Sequence, residues 1–291
     1  MFKNSLEGKN LEVNNLLDGN GFVKVITVGP ENHPADRYPE YLIAKAARVS
    51  YGQDNKSAKA DKGLIEFLVR HKHTSPLEMC SITFLLKLPI AICRQLLRHR
   101  TGKFNEFSQR YSEVGEDVGR FHLKDYAHVM RGKSSLNHQA SEYNLSEEQI
   151  KNIESLNIEM EKHQEAVYET YKKLLEAGQA KELARFHLPL STYTTIYVQF
   201  DLNNLLKFFS LRCAPDAQYE IRVYADAMKS LAEQFFPISI GIHQQYAGAL
   251  LLGEYEKKMI LEGKISDEVT SKTHRAYLES VAAELDIKIE N

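Results

Sequence analysis

Arg98, His99 and Arg100 stand side by side in this chain, and Glu106, Ser108 and Arg110 follow shortly after. A guanidinium offers a planar fork that fits phosphate oxygens. A serine hydroxyl donates or accepts, and a carboxylate accepts from a ring N–H or a ribose hydroxyl. Such a set suits a nucleotide, with phosphate at one end and a polar base at the other. Glu106, Ser108 and Arg110 alternate with Phe107 and Gln109, so an extended backbone would turn the first three to one side as a hydrogen-bonding strip. The bland explanations are an exposed polar edge strand and, for the Arg-His-Arg run, the preference of cations for the negative end of a helix. Two more arginines lie beside strong structural signals. Arg185 precedes a β-rich run, and Arg212 ends an apolar helix just before Pro215 turns the chain.

Placing these side chains requires a framework, and the composition supplies one. Of the 291 residues, 43% are apolar and 26% charged, the profile of an ordinary globular protein with a full core. The formal net charge of -2 argues against a general nucleic-acid coat, so any anion site must be local. Cys80, Cys93 and Cys213 are odd in number and form no Cys-x-x-Cys pair, which fits a reducing compartment and provides neither a disulfide nor a zinc framework. The start lacks the apolar stretch of a signal peptide, and no apolar run reaches ~18 residues, so a cytoplasmic protein with no membrane partner is expected.

The coarse pattern predicts an α+β fold, a mainly antiparallel sheet with helices. FVKVITV (22–28), SITFLLKLP (81–89) and STYTTIYVQF (191–200) read as strands. YLIAKAARVSYG predicts a helix stopping near Gly52, and GLIEFLVRHKH a short one with Leu64, Phe67 and Leu68 on one face. Pro89 suits the first turn of a helix through PIAICRQLLRHR that Gly102 would end. On that helix Arg94 and Arg98 share a face, with Gln95 and His99 as the adjacent pair. Ser146 and Gln149 form a capping-box pattern opening a long helix that carries Ile150, Ile153, Leu156, Met160, Val167, Tyr171 and Leu174 and closes near Gly178. Two more helices are broken around Pro215. The expected organisation is a single domain over 1–291, with a polar, irregular excursion near 115–145 and a C-terminal appendage from about 254 that is helical between Asp267 and Leu285.

With these residues in view, the chain resembles the flavin-dependent thymidylate synthases, whose signature is Arg-His-Arg, seven residues, then Ser. Here it reads Arg98, His99, Arg100, TGKFNEF, Ser108, and AARVSYG, HTSPLE, ARFHLPLSTYT and FFSLRCAPDAQYEIRVYA surround it in family order. The likeness covers roughly Val23 to Tyr246. It implies reductive methylation of dUMP to dTMP, with methylenetetrahydrofolate giving the carbon, FAD the hydride and NADPH the reducing power, in a homotetramer with shared active sites. By the same resemblance His73, Arg98, His99, Arg100 and Glu106 would contact FAD. Gln95, Glu106, Ser108, Arg110, Arg185, Leu211 and Arg212 would hold dUMP, with Arg212 as the catalytic group that polarises the uracil. The chain departs from the pattern at Met79, Asn203, Lys207 and Asp216, which touch the expected FAD side more than the nucleotide side.

Three other readings compete. His71-x-His73 could bind a metal if extended, but it lacks a partner at diagnostic spacing, so no metal site is expected. Cys213 beside Arg212 could be a nucleophile, since a neighbouring cation favours thiolate. A non-catalytic nucleotide-binding or assembly protein of the same fold would follow if the departures abolished cofactor binding.

Overall fold

The computed structural model describes residues 2–49, 52, 57–115, 118–121, 126, 128–134, 141–247 and 252–289. Its strands are β1 (Phe2–Asn4), β2 (Glu12–Leu16), β3 (Gly21–Gly29), β4 (Asn32–Pro34), β5 (Ser81–Pro89), β6 (Lys103–Glu106), β7 (Gly132–Lys133), β8 (Ser141–Glu142) and β9 (Tyr193–Asp201). The helices are α1 (Tyr41–Ala47), α2 (Ala58–Arg70), α3 (Ile90–Leu96), α4 (Glu147–Glu176), α5 (Lys181–Ala184), α6 (Leu202–Arg212), α7 (Tyr219–Glu233), α8 (Pro237–Ala247), α9 (Glu254–Leu261) and α10 (Lys272–Glu284).

The centre is a five-stranded antiparallel sheet in the order β2-β3-β5-β9-β6, the α+β architecture expected from the sequence. Strict alternation builds it. Ile82, Phe84, Leu86 and Leu88 of β5 and Ile196, Val198 and Phe200 of β9 are all buried. Each such side chain contributes about 1.5–3 kcal/mol by leaving water. Against this face lie α6, through Leu205, Phe208 and Phe209, and α7, through Ile221, Tyr224, Met228 and Leu231 at helical spacing. Asp201 starts α6 by accepting from the backbone N–H of Asn204 at 2.9 Å. At the start of α8, Glu40, with no exposed surface, accepts from the backbone N–H of Ile238 and Ser239 and from the Ser239 hydroxyl.

Several expectations are corrected. α3 stops at Leu96, short of Gly102, because its last buried residue is there and the chain then tightens into successive turns. Arg98 therefore leaves the helix and does not share a helical face with Arg94. α2 starts earlier than read; Leu64 and Leu68 face the core as expected, but Phe67 is half-exposed and Ile65 is buried. The capping box at Ser146 opens α4 as expected, but Leu156 and Met160 remain half-exposed and only Tyr168 and Tyr171 are buried. In the tail, α10 lies within the expected helical stretch, and a further helix, α9, precedes it; the two close a small core of Met259, Ile260, Ile265, Leu278 and Val281.

The described part of the 115–145 excursion is anchored to the body, not loose. The Phe121 N–H donates to the Ser191 carbonyl at 2.8 Å, and Arg120 pairs with Glu165 of α4 while its guanidinium lies 4.3 Å from the Tyr168 ring. Phe121 and Tyr126 pack with Tyr193, and β7 and β8 form a short hairpin. Among the described residues no helix is long and apolar enough to cross a membrane.

Candidate active site

The Arg-His-Arg run sits where α3 unwinds. Its turn needs Gly102, because a Cβ there would stand 2.7 Å from the rings of both Phe104 and Phe200. The turn presses the His99 ring edge-on against Phe208, with centroids 4.8 Å apart. There His99 Nε2 accepts from Arg212 Nε at 3.0 Å, so the ring is neutral with its proton on Nδ1. Burial, and then the charge of Arg212, pull His99 down to about 4. Arg212 ends α6 and also reaches the Gln95 carbonyl through Nη2 at 3.4 Å. Burial and the neighbouring charge of Arg98 hold the Arg212 guanidinium below its usual range. Gln95, Arg98 and His99 thus form one group with Arg212, which lies 113 positions from His99 and 117 from Gln95 along the chain. Leu211 projects beside them, largely exposed, while Arg98 and Arg100 are exposed and engage no acceptor among the described residues.

A second group faces a separate cavity of about 460 Å³, lined by Arg94, Glu106, Gln109 and Arg185 among apolar neighbours. Glu106 is the last residue of β6, and its carboxylate accepts from the buried Thr194 hydroxyl at 2.9 Å. The extended strip expected from Glu106 to Arg110 does not form. β6 ends at Glu106, and Ser108 opens a turn in which its carbonyl accepts from the N–H of Tyr111 and of Ser112, both at 3.2 Å. β6 lies at the sheet edge, and its one partner, β9, holds it only as far as Phe107, whose N–H donates to the Thr195 carbonyl at 2.8 Å; beyond that no β9 bond keeps Ser108 to Arg110 extended. Arg110 instead reaches Glu182 at 3.2 Å with both side chains more than half exposed. His73 lies apart: it follows α2, and its ring stands 5.7 Å from that of Phe67.

The cysteine reading loses its chemistry. Burial, and then the charge of Asp226, push the Cys213 thiol up to about 12, so Arg212 next in sequence does not yield a thiolate. Of the departures, Asn203 is buried and donates to Glu78 Oε1 at 3.2 Å, Met79 and Lys207 are exposed, and Asp216 lines a cavity of about 400 Å³.

Residues not singled out from sequence also join the site. Thr194 supports Glu106, and Gln218 bonds to the side chain of Gln95. Gln218 lay within DAQYE, a polar stretch just ahead of a helix, but only its position beside Gln95 gives it a role.

Exposed guanidinium groups, a neutral imidazole that orients one buried deeper, and a carboxylate beside an open cavity are a set whose charge suits an anionic ligand. Residues 35–238 match the family described as Thymidylate synthase complementing protein. The chain is 39% identical over 277 residues to a flavin-dependent thymidylate synthase of Rickettsia bellii, covering 89% of each. It is 40% identical over 233 residues to one of Thermus thermophilus, covering 79% of this chain and 81% of that one. Among solved structures it is similar to the UMP/dUMP methylase PolB from Streptomyces cacaoi bound with 5-Br dUMP, with 28% identity and a TM-score of 0.63 over 77% of this chain and 95% of that one. The chain belongs to the flavin-dependent thymidylate synthase family.

Proposed function

We propose that this protein is a flavin-dependent thymidylate synthase: it methylates dUMP reductively to dTMP, with methylenetetrahydrofolate as carbon donor and NADPH as reductant. The observation that carries this reading is the group made by Gln95, His99 and Arg212. A neutral acceptor, His99 Nε2, takes the Arg212 Nε–H and the Gln95 carbonyl takes one Nη2–H, which fixes the guanidinium and leaves its remaining N–H groups to face a ligand. Set against a uracil carbonyl, that fork stabilises the negative charge that develops as the ring is activated for attack on the methylene carbon. No side chain need attack the ring, which agrees with a Cys213 thiol that stays protonated.

The donor set fits FAD. Arg98 and Arg100 are exposed guanidiniums with no acceptor among the described residues, suited to a diphosphate, and His73 is an exposed ring at the end of α2. When bound, reduced FAD supplies the hydride that completes the methyl group. Arg110 and Arg185 take the nucleotide phosphate, Ser108 and Glu106 its polar groups, and Leu211 covers the base. On this reading residues 1–291 form one catalytic domain with a C-terminal appendage from about 254, working in the cytoplasm.

The same reading makes the enzyme a homotetramer with shared active sites. Two features support it. The nucleotide set falls into two groups on one chain, Gln95 with Arg212 and Glu106 with Arg185. Leu156, Ile158 and Met160 of α4 and Phe186 beside Arg185 are apolar and half-exposed or more, a surface suited to a second copy. The test is direct. Purified protein should show the absorption band of oxidised flavin, respond to dUMP, and form dTMP when methylenetetrahydrofolate and NADPH are added. A colourless protein that binds dUMP but cannot be reconstituted with FAD would mark a nucleotide-binding protein of the same fold instead.

A further inference from the structure

Behind Gln95 runs a chain of hydrogen bonds that begins in the 115–145 excursion. Arg131, just ahead of β7, points Nη2 at Glu220 Oε1 in the first turn of α7, and its Nε donates to the His128 carbonyl at 2.7 Å. Glu220 is buried, with 4% of its surface exposed. Its other oxygen, Oε2, accepts from Gln218 Nε2 at 2.8 Å. Gln218 Oε1 then accepts from Gln95 Nε2 at 2.5 Å.

The direction of this chain is imposed at one end. A carboxylate facing a guanidinium only accepts, so Gln218 can meet Glu220 only with its NH2 group. That turns Gln218 Oε1 toward Gln95, which must answer with its own NH2 group. Gln95 Oε1 is therefore left wholly unengaged as an acceptor, while its Nε2 is tied to Gln218 through one of its two N–H groups. Without Glu220 the two amides could flip together, and Gln95 would present a donor about as readily.

We propose that Arg131, Glu220 and Gln218 are positioning residues that fix the Gln95 amide with its oxygen toward the nucleotide and so select uracil over cytosine. The inference rests on the dUMP reading of the site. The Arg212 guanidinium meets the same residue, its Nη2 donating to the Gln95 backbone carbonyl at 3.4 Å. An acceptor next to a donor matches the N3–H and adjacent carbonyl of uracil. Cytosine offers an unprotonated N3 and an amine there, which sets acceptor against acceptor. The excursion thereby gains a part in recognition: its Arg131 holds in place the carboxylate from which the polarity starts.

The experiment uses the full-length flavoprotein and measures dUMP binding by titration and dCMP binding by competition. Gln218→Met breaks the chain at an exposed position, and Glu220→Gln removes the polarity constraint with almost no change of shape. Each should weaken dUMP binding about tenfold and narrow the dUMP-over-dCMP ratio, with melting temperature and bound FAD close to wild type. Arg131→Lys, which keeps a cation against Glu220, should retain more of the ratio than Arg131→Met. In the Gln95→Met background, Gln218→Met should have little further effect, because both act through one amide. Wild-type affinity and ratio in both Gln218→Met and Glu220→Gln, or full additivity with Gln95→Met, would overturn the relay while leaving the dUMP reading intact. A wild-type flavoprotein that binds no dUMP would sink that reading and the relay with it.

Discussion

The two halves of the candidate nucleotide site are built in opposite ways. Gln95, His99 and Arg212 sit at the ends of α3 and α6, backed by Phe208 and the sheet core, and each is held by hydrogen bonds from distant parts of the chain. Ser108 and Arg110 sit in a turn beyond the edge strand, and Arg110 is held by little more than an exposed ion pair with Glu182. The difference matches what each half is asked to do. Polarising a base demands a donor fixed in direction before reaction, since orientation supplied in advance costs nothing at the barrier. Gripping a phosphate demands mainly charge within reach, and an exposed ion pair worth roughly 0–1 kcal/mol is readily exchanged for a more strongly charged anion.

The largest effect should come from the rigid half. Arg212→Ala should lower kcat by about 100–1000-fold, with bound FAD retained. Steady-state dTMP formation measures it, and a loss of less than about tenfold would place the polarising donor elsewhere. In the open half the loss should appear in affinity. Arg110→Lys keeps the charge but not the fork, so dUMP binding should weaken about tenfold while kcat at saturating dUMP changes much less. If kcat falls as far as in Arg212→Ala, the two halves are not functionally distinct.

A pH effect should also separate them. Folded His99 takes a proton only near 4, against an ordinary value of 6.5. Between those values the unfolded chain binds a proton that the folded chain refuses, so this contribution to stability is complete above 6.5 and is lost as pH falls toward about 4. Removing the imidazole removes that slope. The melting-temperature gap between wild type and His99→Asn should therefore narrow from neutral pH down to about 4. A gap that stays constant would mean that His99 is not kept neutral by its burial and by Arg212. The smallest effect is expected at Cys213. With its thiol pushed up to about 12, Cys213→Ser should leave turnover within about twofold of wild type across the working pH range. A large loss, together with a trapped adduct between Cys213 and dUMP, would restore the nucleophile reading.

Much of this was legible in the sequence because the signals are local. Runs of β-branched, aromatic and apolar residues marked β5 and β9, the Ser146–Gln149 box marked the start of α4, and Pro215 marked the break between α6 and α7. The unbroken Arg-His-Arg to Ser108 spacing was enough to identify the family and point to the residues worth watching. Other features depended on contacts that no local pattern encodes. Period-two alternation could not reveal that the β9 bonds end at Phe107, which lets Ser108 turn. Nor could a helical pattern reveal that α3 unwinds after Leu96, where the core ends. The sequence placed a cation beside Cys213 and a histidine between two arginines. The protonation of both is decided by burial, and burial depends on which distant segments fold over a residue. The partnership of Gln95 with Gln218, across 123 positions, is the plainest case. Residue types limit which atoms can donate or accept, but only the tertiary structure decides which ones meet.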